Sequence, residues 1–358
     1  MSVLYVGPYR QQDEWGYTSR AFANLLAAQK EQLPDLVMRP VWFNNQQKLT
    51  DIGQLEEYEF KKVDSPDVII QHGLPNYLNY NGNFKKNIAV TSVDCRVDNT
   101  DWVTHLNLFD TVVVFSEHEA QLLKDSGVTT EVFHFDFAPL YFSNEVEDLN
   151  LKFNRFKFYT IGSLDIKSGL REVVASYLSA FTILDNVMLV VCSSDAQKLE
   201  EEIKVIKSGL GKFFDEQHYP HIAIINNTNL PILNYVHDYC DCYIDASYNS
   251  RTNQNMLKAI AYNSLPMMTD VCGIIKDYPF TIKTHNDISI YPQRPIRELY
   301  SGEFSWEMPS MNSIRANMRA IYNADEEVLE KASQQVMKLK SSLFKIPNKR
   351  IVDLLCTQ

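Results

Sequence analysis

The stretch Cys240–Pro266, CDCYIDASYNSRTNQNMLKAIAYNSLP, decides the fold. Cys242, Tyr243 and Ile244 read as a short buried strand. Ala246 onward is small and polar. Met256, Leu257, Ile260 and Ala261 then share one face at helical spacing, and Pro266 to Thr269 reads as the next strand. A strand, a polar loop and a helix start in succession suit a phosphate, because the first amides of a helix have no intrahelical partner.

The same theme extends on both sides. Upstream, Phe158–Ile161 reads as a strand ending at Gly162, and Leu170–Leu184 as a helix. Val187–Val191 is a strand, followed by a charged helix over Ala196–Ser208. His221–Ile225 is a strand and Leu230–Tyr239 a helix. Earlier still, strands are expected at Val3–Val6, Leu36–Phe43, Asp67–Ile70, Ile88–Ser92, Thr111–Phe115 and Val132–Phe135. Thr18 or Ser19 caps a first helix running to about Gln29, and Ser116 caps one running to Lys124. Continuous apolar strands alternating with amphipathic helices predict parallel, doubly wound sheets.

The charged segment Ser143–Lys157 interrupts the alternation. The expected organisation is therefore α/β with two Rossmann-like domains, 1–147 and 148–330, facing across a cleft. A helical segment, 331–358, packs back onto one of them. In open α/β sheets ligands bind beyond the carboxyl ends of the strands. The loops carrying Gly7, His72, Asp94, Gly162 and Ser250 are expected to converge there.

Composition sets outer limits. The chain has 358 residues, 45% of them apolar, which suits two cores. Lys plus Arg number 34 against 45 Asp plus Glu, a net charge of −11 that argues against broad DNA binding through phosphate neutralisation. A local basic groove stays open. No apolar run approaches the ~20 residues that span a bilayer, and the start MSVLYVGPYR lacks a signal-peptide pattern. The six cysteines form no Cys-x-x-Cys pair and no zinc-ligand spacing. A reduced, cytoplasmic protein without bound metal is the expectation.

Four stretches together resemble one family. GPYRQQDEWGYTSRAF (7–22), TSVDCRVDNTDWVTHLNLFDTVVVFSEHEAQLLKDSGV (91–128), IGSLDIKSGLREVVASYLSAF (161–181) and the opening stretch occur in the order and spacing of GT-B glycosyltransferases. The nearest likeness is to the large retaining family that includes many bacterial mannosyl- and glucosyltransferases, and it covers Val3 to about Thr269. It implies a nucleotide-diphosphate sugar as donor substrate, no further cofactor, no metal, and transfer to an acceptor hydroxyl with retention. The acceptor classes left open are a glycan, a protein and, against the acidic charge, hydroxymethylated bases in DNA.

The resemblance assigns site residues position by position. Gly7 and Gly16 bring backbone close to the transferred sugar and diphosphate, or simply make turns. Independently of the resemblance, the place of His72 at the carboxyl end of a buried strand suggests a contact to the sugar or acceptor, or an ordinary loop histidine. Asp94 stands where the family commonly has Glu, with Trp102, Asn107 and Asp110 following at matching intervals. Its carboxylate orients or deprotonates the acceptor hydroxyl, or caps a helix. In GSLDIKSG the family's usual Arg falls on Ser163 beside Gly162, while its Lys is retained as Lys167. That lysine stabilises the departing diphosphate as its charge grows.

The family's Glu-x7-Glu pattern falls on Ser250 and Lys258, so both acids are gone. Lys258 cannot accept the ribose hydrogen bonds such a Glu receives. It can donate to a ribose oxygen or reach toward phosphate. Arg251 adds a cation, and Thr252, Asn253, Gln254 and Asn255 add polar groups at the helix start. Two readings follow: an anion site with altered nucleoside recognition, or a non-catalytic binding or scaffold protein on a degenerate fold.

Overall fold

The computed structural model describes the whole chain except residues 44–48, 50, 94–96, 98–100, 136–144, 150–153, 212–217, 227–228, 249–253, 271–277, 291–302, 344–350, 352–353 and 356–358. The chain divides into two units. One comprises Met1–Tyr141 with Arg251–Gln254 and Ser342–Gln358, the other Phe142–Ser250 with Asn255–Ser341.

Among the described residues, the first unit holds a six-stranded parallel sheet: β1 (Ser2–Gly7), β2 (Asp35–Pro40), β3 (Val68–His72), β4 (Lys86–Val90), β5 (Thr111–Val114) and β6 (Glu131–His134). The strand order is β2-β1-β3-β4-β5-β6. Helices α1 (Glu14–Ala27), α2 (Glu56–Phe60), α3 (Asp101–Leu106) and α4 (Glu117–Asp125) lie in the connections. Ile351, Leu354 and Leu355 are buried, and the Leu354 carbonyl accepts from Lys86 Nζ at 2.9 Å.

The second unit repeats the plan with β7 (Phe156–Ile161), α5 (Leu170–Ala180), β8 (Val187–Cys192), α6 (Ala196–Leu210), β9 (His221–Ile225), α7 (Leu230–Tyr239), β10 (Cys242–Asp245), α8 (Gln254–Ala261), β11 (Leu265–Thr269) and β12 (Thr281–Ile282). Its parallel order is β12-β11-β10-β7-β8-β9. An antiparallel hairpin follows, β13 (Thr284–Ile290) with β14 (Glu303–Pro309), then α9 (Met311–Tyr322) and α10 (Glu326–Leu343).

The strand chemistry explains the plan. Every residue of β8, Val-Met-Leu-Val-Val-Cys, is buried, as a parallel strand covered on both faces requires. Each such Val or Leu contributes roughly 1.5–3 kcal/mol by leaving water. Ser116 caps α4 as read from sequence, its Oγ accepting from the Glu119 amide at 3.1 Å.

Three boundaries differ from the sequence reading. Helix α1 starts at Glu14, capped by Asp13, whose carboxylate accepts from the Gly16 amide at 2.8 Å; Thr18 and Ser19 lie inside the helix. Gly16 therefore belongs to the first turn of α1, not to the preceding loop. Helix α5 stops at Ala180 instead of Leu184, because Phe181 turns extended and buries its ring completely. Strand β2 ends at Pro40, which has no amide to continue a ladder.

Candidate functional site

In the second sheet β7 and β10 are neighbours, with β8 and β9 beyond one and β11 and β12 beyond the other. Successive connections leave this pair toward opposite sides. Its carboxyl ends are thus a topological switch point, the usual binding crevice of an open α/β sheet. Both loops that the sequence singled out start there.

The loop after β7 is tightly self-bonded. The Gly162 amide donates to the Cys192 carbonyl at 3.0 Å. Ile166–Ser168 form a 3₁₀ turn, in which the Lys167 amide donates to Asp165 Oδ1 at 3.0 Å. Ser168 Oγ donates to the carbonyls of Asp165 and Ser163. Gly169 adopts a left-handed conformation, φ 64°, and its Cα packs directly on the Ala246 carbonyl; any Cβ would overlap that oxygen. Only glycine meets both conditions.

The loop after β10 is bolted to the first. The Tyr248 amide donates to the Lys167 carbonyl at 2.9 Å, and the Tyr248 hydroxyl donates to Glu172 Oε1 at 2.8 Å. Lys167 is half-buried, its Nζ 5.8 Å from the centroid of the Trp306 ring. The structure thus unites Gly162, Ser163 and Lys167 with the chain entering the 249–253 segment.

Gln254 and Lys258 on α8 are both buried, and Asn255 is half-buried. Lys258 is only 1% exposed, and burial lowers its pKa to about 8. A second buried base lies near it. The His237 Nδ1 is 2.9 Å from the Tyr159 hydroxyl, which donates to Ser264 Oγ at 3.0 Å. Burial above all, then the charge of Lys258, holds the His237 pKa well below its usual value. Cys192, Cys240 and Cys242 are free and buried; burial raises the Cys192 thiol to about 12, so it packs as a small hydrophobe.

The first sheet has its own switch point, between β1 and β3. His72 ends β3 there, 1% exposed, with Nδ1 2.9 Å from the Tyr5 hydroxyl and Trp15 and Phe22 set edge-on to its ring. Its Nε2 has no hydrogen-bond partner among the described residues. Burial depresses its pKa to about 3. Gly16 packs on the Gln11 carbonyl, and Gly7 leaves room for Ser19 Oγ and the Tyr5 hydroxyl. The buried Arg20 shapes the intervening turn by donating to the Tyr9 and Gln11 carbonyls at 2.9 and 3.0 Å.

These neutral histidines carry a pH prediction. Unfolded, each binds a proton near pH 6.5; folded, His72 does so only near 3 and His237 also well below its usual value. The unfolded chain therefore takes up more protons as acid is added, and stability present above pH 6.5 is lost as pH falls. Each histidine is expected to remove roughly 1 kcal/mol between about pH 6 and about pH 5. Urea unfolding at those two pH values measures it, and a flat result would place both rings in water.

Asp94, Ser250, Arg251, Thr252 and Asn253 lie outside the described residues. Asn107 and Asp110 serve the backbone: Asn107 Oδ1 accepts from Thr129 at 2.7 Å, and Asp110 Oδ2 from Asn87 at 2.7 Å. Trp102 is buried, as packing predicts. The sequence reading missed Trp306, Tyr248 and Glu119. The buried Glu119 carboxylate accepts from the Val93 and Phe115 amides and from Ser92 Oγ. A capping-box spacing, Ser116-x-x-Glu119, was the available signal.

Arg10, Arg20, Lys85, Lys86 and Arg96 are the basic residues of the N-terminal half that a DNA groove would need. Arg10 pairs with Glu59 at 2.8 Å, Lys85 with Asp67 at 2.7 Å, Lys86 bonds the Leu354 carbonyl and Arg20 is buried. Arg96 lies outside the described residues.

The sequence matches no family model and no curated protein. Solved structures match it well. The N-terminal domain of Candida albicans trehalose-6-phosphate phosphatase aligns over 99% of this chain and 96% of its own, with a TM-score of 0.60 and 11% identity. Trehalose-6-phosphate synthase OtsA aligns over 83% and 74%, with a TM-score of 0.56 and 10% identity. The chain has the GT-B glycosyltransferase fold. Another GT-B structure, S. aureus TarM in complex with fondaparinux, alpha-GlcNAc-glycerol and UDP, aligns at a TM-score of 0.51 and 12% identity, over 80% of this chain and 54% of TarM. An E. coli trehalose-6-phosphate structure carries UDP-2-fluoro glucose, at a TM-score of 0.57 and 10% identity. Among the described residues, no helix is long and apolar enough to cross a membrane.

Proposed function

We propose that this GT-B protein is a glycosyltransferase that moves a sugar from a nucleotide-diphosphate sugar to an acceptor hydroxyl, with retention and without a metal ion. The observation that carries the reading is the stitched pair of loops at the β7/β10 switch point. Lys167 is held there between the Gly169–Ala246 contact and the Tyr248 hydrogen bond. Cleavage of the donor builds charge on the leaving diphosphate. A cation fixed before the reaction lowers that barrier because it need not reorganise. Lys258 adds positive potential from within α8, at a site where burial keeps water from screening it. In this reading the two lysines supply the charge that a divalent ion supplies elsewhere. Ser163, the polar 250–255 segment and the helix start hold the donor, and Asp94 serves the acceptor side; His72, 1% exposed, packs beneath that side and does not touch the acceptor.

UDP and a panel of UDP- and GDP-sugars are the direct test. Binding to the purified chain is expected by calorimetry, together with donor hydrolysis. Lys167→Ala is expected to weaken UDP binding roughly tenfold through loss of a charge-assisted contact. Folded protein that ignores every sugar nucleotide would overturn the reading. Loss of both motif acids at Ser250 and Lys258 favours a second reading, a non-catalytic scaffold. Tight UDP binding without turnover of any donor would select it.

A further inference from the structure

We propose that Phe43 and Tyr77, stacked at the carboxyl end of the first sheet, form a platform for the ring of a neutral saccharide, so that the acceptor is a glycan. The role of acceptor rests on the transferase reading. The two ring centroids lie 5.0 Å apart, with 13° between the ring planes. Phe43 follows β2 and Tyr77 follows β3, and β1 runs between those strands. The pair therefore bridges the carboxyl end of β1, at the switch point where open α/β sheets take ligands.

Both rings are held in place by their loops. The Phe43 amide donates to Gln11 Oε1 at 2.6 Å. The Phe43 ring packs on Gly73, where an added Cβ would come within 2.6 Å of its Cζ. Tyr77 ends the 3₁₀ turn Pro75–Tyr77 and lies between the buried Pro75 and Leu78. Gln71 closes that loop with two bonds: its Nε2 donates to the Asn79 carbonyl at 2.6 Å, and its Oε1 accepts from the Asn79 amide at 3.1 Å. Tyr77 nevertheless stays 41% exposed, and Trp42 and Tyr80 in the same two loops are exposed as well. Large apolar rings kept together at the surface mark a place where something docks.

The surrounding chemistry selects the occupant. A sugar ring carries C–H groups on its faces and hydroxyls on its rim. The C–H groups suit the negative face of an aromatic ring. The hydroxyls suit amides, which both donate and accept. The exposed Asn79 sets such an amide beside the ring, its Nδ2 donating to the Tyr77 carbonyl at 3.3 Å. A nucleic acid would stack on the same rings but also needs cations for its phosphates. The described arginines at this end of the sheet are already committed. Arg10 holds Glu59 through two bonds of 2.8 and 2.9 Å, and Arg39 donates to the Glu59 and Lys61 carbonyls at 2.7 and 2.9 Å. The chain as a whole carries a net charge of −11. A neutral ligand meets no such obstacle.

The test applies the full chain to an array of neutral, acidic and phosphorylated glycans, with hexathymidylate as the nucleic-acid probe. At least one neutral glycan is expected to be retained. Titrated with the chain and followed by proton NMR, that glycan is expected to show upfield shifts of the ring protons on one sugar face, as stacking on an aromatic ring requires. Tyr77→Leu is expected to weaken its binding roughly tenfold, and Tyr77→Phe, which keeps the ring, by less than about twofold. Circular dichroism shows whether each variant is folded. If Tyr77→Leu is not, the proton shifts with the unaltered chain still decide. Retention of no neutral glycan, or equal retention by folded Tyr77→Leu, would overturn the proposal. So would absence of the upfield shifts, or retention of hexathymidylate or of charged glycans alone. UDP binding by the unaltered chain is measured alongside by calorimetry. A neutral glycan stacked on a chain that ignores every sugar nucleotide would keep the platform and remove the transferase reading. UDP bound with no neutral glycan retained would do the reverse.

Discussion

Gly169→Ala is expected to destabilise the second unit by roughly 3–5 kcal/mol and to remove UDP binding with it. Two independent costs combine. The residue has φ 64°, where a Cβ costs about 1–2 kcal/mol. The new methyl would also fall on the Ala246 carbonyl, backbone against backbone, with no flexible side chain to yield. Relief requires the loops after β7 and β10 to separate. That separation breaks the Tyr248 amide bond to Lys167 and strains the Tyr248–Glu172 bond, both part of the proposed anion site. Urea unfolding followed by tyrosine and tryptophan fluorescence measures the first effect, and calorimetry with UDP the second.

Gly162→Ala is the matched control. Gly162 is the glycine that family likeness singles out, yet its added methyl would meet nothing nearer than Ser168 Cβ at 3.4 Å. Its φ is not in the left-handed region, so the change is expected to cost within about 1 kcal/mol. If the two alanines behaved alike, the close approach at Gly169 would not be what holds the loops together.

The contrast between these glycines marks what a single sequence reveals. Strands and helices with strong periodicity were legible: His221–Ile225 and Leu230–Tyr239 occupy the expected residues, and Ser116 caps the expected helix. The fold class was legible too, because alternating strands and helices dictate two parallel sheets. Contacts between distant loops leave no such trace. Nothing near Gly169 in sequence announces the Ala246 carbonyl. Nor does anything near Lys167 announce Trp306, 139 positions away on a hairpin whose polar strand Thr-His-Asn-Asp-Ile-Ser-Ile lacks a buried-strand pattern. Asp13 was passed over as a cap because Gly16 looked like loop, whereas its missing side chain is what lets the first turn of α1 press on Gln11.

Lys258 is a different case. It sits between Leu257 and Ala259, beside the apolar stripe of α8, and is buried although it is charged. That burial has a measurable cost. The unfolded lysine titrates near 10.5 and the folded one near 8, so below pH 8 both states carry the proton and the full cost applies. The difference corresponds to roughly 3 kcal/mol. Between pH 8 and 10.5 the unfolded chain holds more protons, so stability is expected to rise with pH across that window. Lys258→Met keeps the volume and removes the charge. It is expected to stabilise the protein by about 2 kcal/mol at pH 7 and to flatten the alkaline rise. Urea midpoints at several pH values measure both. A protein that retains an expensive buried cation is expected to use it, so the same variant should bind UDP at least about tenfold more weakly. A variant that gains stability and loses no affinity would separate Lys258 from the donor site and favour the scaffold reading. One that gains nothing would place the ammonium in water.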